Sequence, residues 1–125
     1  MRHPEDDLQK AVMTYLRLQY PQVLALHCPN GGYRNGKEAA RFKGLGVLAG
    51  TADILIFAFH RSAGIAYYGL AIELKIKPNK QSDSQKAFQQ KIEVAGWLYE
   101  LVWDFDHAKK TIDDYITFHL TPQNP

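Results

Sequence analysis

The spacing of hydrophobic residues at the start of the chain is helical. Leu8, Val12 and Leu16 recur at intervals of four residues, which places them on one side of a helix. Acidic residues fill the first turn, where the helix dipole favours negative charge. The pattern predicts a helix over residues 4–20 that is closed by Pro21.

Four further hydrophobic stretches are typical of strands. They are residues 23–28, 53–59, 65–77 and 97–103. The turn-prone sequence HRSAG is all that separates the second stretch from the third, and so short a connection favours antiparallel pairing.

Two more helices follow from capping signals. Ser82 and Gln85 have the spacing of a capping box, and Gly96 is a C-terminal stop for the helix between them. A last helix, capped by Asp104 or Asp106, is expected to end at Ile116. Helices interleaved with strands in this order predict a mixed α/β sheet with helices packed on it.

Residues 29–50 have no clear period and contain six of the nine glycines together with four basic residues. We expect a long connection with a helical turn near residues 37–42. Loops of this length in compact domains are usually functional or disordered. The basic side chains could line phosphates or only solvate a loop. Residues 30–91 hold ten lysines and arginines against four acidic residues, which favours a surface that faces a polyanion.

The composition narrows the class of protein. The chain has 125 residues, of which 46% are hydrophobic and 22% charged, so one domain over residues 1–125 with its own core is expected. The single cysteine, Cys28, excludes an intramolecular disulfide and a cysteine-cluster zinc site. No apolar run approaches the roughly 18 residues that span a bilayer, so we expect a soluble, cytoplasmic protein.

Residues 71–77, AIELKIK, place an acid and a base in what reads as a buried strand. Because side chains alternate across a strand, Glu73 and Lys75 point to one face while Leu74 and its aliphatic neighbours point to the other. Asp53 opens the neighbouring predicted strand. If the two strands pair, the two carboxylates and the ammonium group converge at one end of the sheet.

Carboxylates that lie close together repel unless a positive charge lies between them. Mg²⁺ is typically held by one or two protein carboxylates with waters and substrate phosphate, and a lysine beside it can orient the attacking water. A bare Glu-x-Lys pattern is common by chance, and its alternative reading is a salt-bridged strand face. Asp53 and the basic loop before it shift the balance towards a metal and phosphate site.

Several motifs together resemble the VRR-NUC family of the PD-(D/E)xK nuclease superfamily. In chain order the matching segments are EDDLQ (5–9), PNGG (29–32), GVLAGTADI (46–54), AIELK (71–75), SDSQKAF (82–88) and Gly96. The family often has proline or serine before the first aspartate of its core motif, and here that residue is Ala52.

The resemblance implies a restriction-endonuclease-like mixed sheet flanked by helices. Asp53 and Glu73 would bind Mg²⁺, for which Mn²⁺ would substitute, and the main-chain carbonyl of Leu74 would add a ligand. Lys75 would be the catalytic lysine.

Two further residues would complete this site. The resemblance implies that Glu5 joins the acidic set and that Gln85 lies at the mouth of the site. Each has a structural alternative: Glu5 as an ordinary first-turn acid, and Gln85 as the partner of Ser82 in the capping box.

DNA is the implied partner. The residues expected to contact it are Asn30, Arg34, Lys37, Arg41, Lys43 and Lys77, although Asn30 could belong only to a turn. Family members with this domain alone are similar to phage and bacterial proteins thought to act as homodimers on branched DNA such as Holliday junctions. The same resemblance implies products with a 5′-phosphate and a 3′-hydroxyl.

The expected function is therefore that of a metal-dependent DNA endonuclease. One alternative is a nucleic-acid-binding module with the nuclease fold and no turnover. Another is an unrelated α/β protein with a salt-bridged strand, in which Asp53→Ala would change neither folding nor behaviour towards DNA.

Overall fold

The computed structural model describes residues 3–29 and 36–120. The helices are α1 (Pro4–Gln19), α2 (Gly36–Gly44), α3 (Asp83–Val94) and α4 (Phe105–Leu120). The strands are β1 (Leu24–His27), β2 (Ile54–Phe57), β3 (His60–Ser62), β4 (Ile65–Tyr67), β5 (Leu70–Leu74) and β6 (Leu98–Val102). No helix within the described ranges is both long and apolar enough to cross a membrane.

The main sheet has four strands in the order β1-β2-β5-β6. The pairs β1-β2 and β2-β5 are antiparallel, whereas β5 and β6 are parallel and are connected through α3. A parallel pair needs such a crossover, because its strands begin at the same edge of the sheet. The predicted mixed α/β architecture is confirmed.

The strand predicted at 53–59 is shorter in the structure, and the one predicted at 65–77 is broken into β4 and β5. β3 lies in the predicted turn HRSAG and pairs with β4 in a separate ribbon that turns at Ala63 and Gly64, both of which have positive φ. This ribbon packs on α4, where the Tyr115 hydroxyl donates a 2.7 Å hydrogen bond to the Ala58 carbonyl and the His60 ring stacks on the Tyr115 ring. The ribbon is separate from the main sheet and contacts α4, and the hydrophobic pattern gives no sign of this arrangement.

The connection before β2 also differs from the prediction. The structure has a nine-residue helix, α2, where a single helical turn was expected. Asn30 and Arg34, two of the predicted DNA contacts, lie outside the described residues.

The capping predictions are confirmed around α3. The Ser82 hydroxyl accepts from the Gln85 amide at 3.2 Å, and the Gln85 side chain accepts from the Ser82 amide at 2.8 Å. Gly96 follows the helix with φ +91°. For α4 the cap is Asp104, whose carboxylate accepts from the His107 amide at 2.8 Å, and the helix runs beyond the expected end.

The core lies on both faces of the sheet. On one face, α1 and α4 bury aliphatic residues against β2, β5 and β6. On the other face, Ala52, Ala71 and Tyr99 pack against Phe88 and Ile92 of α3. Residues that alternate along β5 therefore reach opposite clusters, as the sequence predicted, and the side chain of Glu73 emerges on the α3 side.

Candidate active site

Asp53 stands immediately before β2, and main-chain hydrogen bonds fix its position. Its carbonyl accepts from the Cys28 amide at 2.8 Å and from Nδ1 of His27 at 2.9 Å. Its carboxylate oxygen Oδ2 accepts a 2.7 Å hydrogen bond from the main-chain amide of Leu74. The side chain of Asp53 is thus directed towards the end of β5.

Glu73 lies opposite Asp53 on the neighbouring strand. Ile54 pairs with Ile72, and continuing that antiparallel register by one residue brings the two carboxylates together. Glu73 is 2% exposed. Its Oε2 accepts from the Gln85 side-chain amide at 3.1 Å, while its Oε1 has no hydrogen-bond partner among the residues that the structure describes.

Burial and the neighbouring acid change the ionisation of Glu73. Loss of solvent, followed by the close approach of the Asp53 carboxylate and its charge, raises the pKa of Glu73 to about 9, and Lys75 opposes this shift. Without a cation, therefore, Glu73 retains its proton near neutral pH. A bound cation would favour the ionised form of the Glu73 carboxyl group and displace that proton.

Lys75 directly follows Leu74, the last residue of β5, and is not within the strand as predicted. Its main-chain amide still donates to the Val102 carbonyl at 2.9 Å, which continues the alignment with β6. The residue is 9% exposed, and its positive charge lowers the pKa of Glu73. A lysine so deeply buried is unusual unless anionic groups lie close to it.

Glu5 approaches the same place from α1. Burial raises the pKa of Glu5, the charge of Lys75 lowers it, and the charge of Asp53 raises it again. The first-turn acid is therefore within electrostatic reach of both residues. Glu5 is therefore both an acid in the first turn of α1 and a neighbour of the site.

Gln85 likewise has two structural partners. One atom of its side-chain amide accepts from the Ser82 main chain, and the other donates to Glu73. The cap at the start of α3 and the orientation of the Glu73 carboxylate are thus set by a single side chain. The two readings left open by the sequence are compatible.

Gln9 was not singled out from the sequence, although it closes the EDDLQ segment. It lies one helical turn after Glu5 on the same side of α1. Both Nε2 and Oε1 of its side chain are buried, and neither has a hydrogen-bond partner within the described ranges. The sequence signal that could have identified Gln9 was its position four residues after Glu5, which places both on one side of the helix.

The remaining predicted DNA contacts lie at the surface. Lys37, Arg41 and Lys43 are exposed residues of α2. Lys77 is exposed beyond β5, with its ammonium group 6.0 Å from the centroid of the Trp103 ring. The structure does not bring them into hydrogen-bonding contact with the carboxylates.

The donor set fits a hard divalent cation with few protein ligands. Within residues 3–29 and 36–120, no group of three or more histidine, cysteine, aspartate or glutamate side chains is arranged to hold a metal ion. The pair Asp53 and Glu73 supplies two carboxylates, one with an unpartnered buried oxygen. Mg²⁺ is commonly held by one or two carboxylates and completes its shell with water and phosphate, so the residues present fit it.

Comparisons with known proteins bear on the fold. No protein-family model matches the sequence, and no curated protein matches it either. Among solved structures, the chain is similar to a VRR_NUC domain protein, with a TM-score of 0.72 and 26% sequence identity over 94% of this chain and 92% of that chain. The arrangement of the sheet and its flanking helices agrees with that likeness, and the chain therefore has the VRR-NUC fold, a nuclease-family fold.

Proposed function

We propose that the protein is a Mg²⁺-dependent DNA endonuclease in which Asp53, Glu73 and Lys75 form the catalytic centre. The observation that carries this proposal is the buried carboxyl group of Glu73, whose pKa is raised to about 9, with the Asp53 carboxylate and a buried lysine beside it. Such an arrangement is costly to fold, and groups of this kind are kept where they bind a ligand or do chemistry. The nuclease-family fold supports the same conclusion.

The two carboxylates are held in different ways. The Leu74 amide fixes one oxygen of Asp53, and Gln85 fixes one oxygen of Glu73. The second oxygen of each carboxylate would then bind Mg²⁺ or Mn²⁺, together with the main-chain carbonyl of Leu74. A cation there supplies Lewis-acid chemistry, since it neutralises charge on the phosphodiester and acidifies the attacking water.

Lys75 would orient that water and stabilise negative charge that develops on the phosphate. Its low exposure, and the lowering of the pKa values of Glu73 and Glu5 by its charge, support a position of the ammonium group beside these acids. Glu5, which lies within the field of Lys75, would complete the acidic set and hold the ammonium group in place. As the superfamily resemblance implies, the products would carry a 5′-phosphate and a 3′-hydroxyl.

We further propose that the substrate is branched DNA resembling a Holliday junction and that residues 1–125 act as one nuclease domain. The exposed basic residues of α2 and Lys77 would contact the phosphates. Asn30 and Arg34, which the structure does not describe, keep their predicted role in this proposal.

A homodimer would bring two such sites to one junction, and an exposed apolar surface supports it. Leu24 and Leu26 of the edge strand β1 pair in register with Phe57 and Leu55, so all four project from one face of the sheet. Three of these side chains are exposed, with Leu24 at 59%, Leu26 at 44% and Phe57 at 43%. A contiguous apolar surface on an edge strand is typical of a protein interface.

The test is a cleavage assay on purified protein with a four-way junction, a flap and a plain duplex. Each substrate is incubated with Mg²⁺, Mn²⁺ or EDTA, with Lys75→Ala as the inactive variant and Lys110→Ala, an exposed lysine of α4, as the matched control. We expect cutting that requires metal, that is lost in Lys75→Ala and that is kept in Lys110→Ala. Binding without cutting would instead identify a catalytically silent module, and no effect on DNA would reject the proposal.

A further inference from the structure

A cleft with a volume of about 430 Å³ lies between α3 and the segment that follows α2. Val47, Leu48 and Phe88 contribute apolar walls, and Lys43 and Lys91 stand at its border. Neither ammonium group forms a salt bridge with any described residue. The cleft therefore combines apolar walls with two unneutralised positive charges.

The cleft is next to the candidate active site, and a close backbone contact links the two. Gly50 packs so tightly on α3 that an added Cβ atom would lie 2.3 Å from the Ser84 carbonyl oxygen. Gly50 lies three residues before Asp53, and Ser84 precedes Gln85, whose side chain donates to Glu73. A single close crossing of the chain thus separates the cleft from the paired carboxylates.

The chemistry of the cleft matches a nucleotide more closely than a purely apolar ligand. A nucleobase has apolar faces that pack against aliphatic and aromatic side chains, and its flanking phosphates are anionic. A base that is paired and stacked within a duplex cannot enter a cleft, whereas an unpaired base at a branch point can do so. A volume in this range is also typical of small-ligand pockets.

We propose that the cleft binds one unpaired nucleobase of the DNA, with Lys43 and Lys91 contacting its flanking phosphates. This inference rests on the proposed nuclease function and specifies its substrate further. The base would pack on the walls formed by Leu48 and Phe88 while a neighbouring phosphodiester lies at Asp53 and Glu73. Selectivity for branched DNA would then arise from the unpaired base itself.

The test measures DNA binding in EDTA, so that it does not depend on cleavage. One duplex carries a single unpaired 2-aminopurine at a branch point, a second carries an abasic site at that position, and a third is fully paired. We expect wild-type protein to bind the first about 5- to 50-fold more tightly than the second, as base stacking on side chains would provide. Burial of the base should also change the 2-aminopurine fluorescence.

Ala87→Phe places a large ring in the cleft, because Ala87 lies on its wall. Val94→Phe adds the same ring at a position of α3 that is 90% exposed and outside the cleft, and it is the matched control. We expect Ala87→Phe to remove the preference for the base over the abasic site and to leave affinity for the paired duplex unchanged. The Val94→Phe protein should keep the preference.

A second pair of variants covers the case in which Ala87→Phe does not fold. Lys43→Ala combined with Lys91→Ala should weaken binding of the branched duplex, whereas Lys86→Ala, an exposed lysine of α3 outside the cleft, should not. Equal wild-type affinity for the base and the abasic site would overturn the inference. A change of oligomeric state in Ala87→Phe, measured as the mass of the particle in solution, would also overturn it. Such a change would identify the cleft as a contact between two copies of the chain.

The outcomes also separate this inference from the proposed function. Metal-dependent cutting without any dependence on the unpaired base would reject the cleft proposal alone. Preference for the base without cutting would reject the nuclease and leave the cleft proposal standing.

Discussion

The main-chain amide of Leu74 donates a 2.7 Å hydrogen bond to the carboxylate of Asp53. The same residue buries its side chain on the opposite face of the sheet, where it is 1% exposed. The core therefore positions the acid directly, because the strand that fills the core also supplies the hydrogen bond. Five predictions follow from the contacts around this relationship and from those that support the helices.

Glu73→Gln should stabilise the metal-free protein at high pH. The pKa of Glu73 is raised from its ordinary value to about 9, so the folded state holds a proton that the unfolded state releases from about pH 4.5 upwards. The wild type is therefore most stable below about pH 4.5, and it loses stability as the pH rises from there towards 9. We expect the variant to be more stable by roughly 1–3 kcal/mol at pH 8 and equal near pH 4.

Urea unfolding in EDTA from pH 4 to pH 9 measures this difference. Glu93→Gln, at an exposed position of α3, is the matched control and should show no such pH dependence. A constant difference across the whole range would contradict the prediction.

A divalent cation should stabilise the folded protein and compete with the proton held by Glu73. Binding to the folded state alone adds about 2.7 kcal/mol at one hundred times the dissociation constant. We therefore expect Mn²⁺ to raise the melting temperature of the wild type, more at pH 8 than at pH 6. Asp53→Asn should lose this rise, and an equal rise in that variant would place the metal elsewhere.

Gly50→Ala should loosen the start of α3. Gly50 has φ +84°, and an added Cβ would lie 2.3 Å from the Ser84 carbonyl oxygen, so both backbone strain and a clash with main chain oppose the substitution. Gly64 has φ +82° and open space around the same atom, which makes Gly64→Ala a control for strain alone.

We expect the control to cost about 1 kcal/mol of unfolding free energy and Gly50→Ala roughly 3 kcal/mol or more. Hydrogen exchange should locate the extra loss at the first turn of α3. Equal costs for the two variants would show that the contact with Ser84 relaxes without effect.

Gln9→Leu should stabilise the metal-free protein by about 1 kcal/mol. The buried amide atoms of Gln9 have no partner among the described residues, and replacing such a group with an apolar side chain of similar size removes its desolvation cost. Thermal unfolding in EDTA measures the change. Gln19→Leu, at an exposed position of α1, is the control, and a loss of stability in Gln9→Leu would mean that the amide stabilises the fold.

Asp113→Asn should weaken the contact between α1 and α4. The Asp113 carboxylate accepts hydrogen bonds from the hydroxyls of Tyr15 and Tyr20 and from Lys109. Burial raises the pKa of Asp113, but these three donors together lower it below its ordinary value. The stabilisation is thus present above the unfolded-state pKa and is lost as the pH falls through the folded-state pKa.

We expect a loss of roughly 1–3 kcal/mol at pH 7, as for hydrogen bonds to a charged group, and a smaller loss at pH 3. Asp114 forms the same type of i,i+4 pair with Lys110 at the exposed surface, so Asp114→Asn should cost less than 1 kcal/mol. Comparable losses in the two variants would contradict the role assigned to the two tyrosines.

Most of the fold could be predicted because its signals are local. Helical spacing identified α1, the capping box identified α3, and alternation assigned the two faces of β5. The β3-β4 ribbon, which splits the strand predicted at 65–77, could not be predicted, since it packs on α4, which is distant in the sequence. The nine residues of α2 were also underestimated, because glycines and charged residues there conceal any period.

The sequence by itself determined which residue types share a face and which segments form the sheet, since both follow from the repeat of the backbone. It also placed Asp53, Glu73 and Lys75 at one end of that sheet, through their positions in or beside adjoining strands. Only the tertiary structure decided that Glu73 loses contact with water and retains a proton. Burial and the approach of Asp53 and Gln85 depend on residues distant in the chain, and no local pattern records such distances.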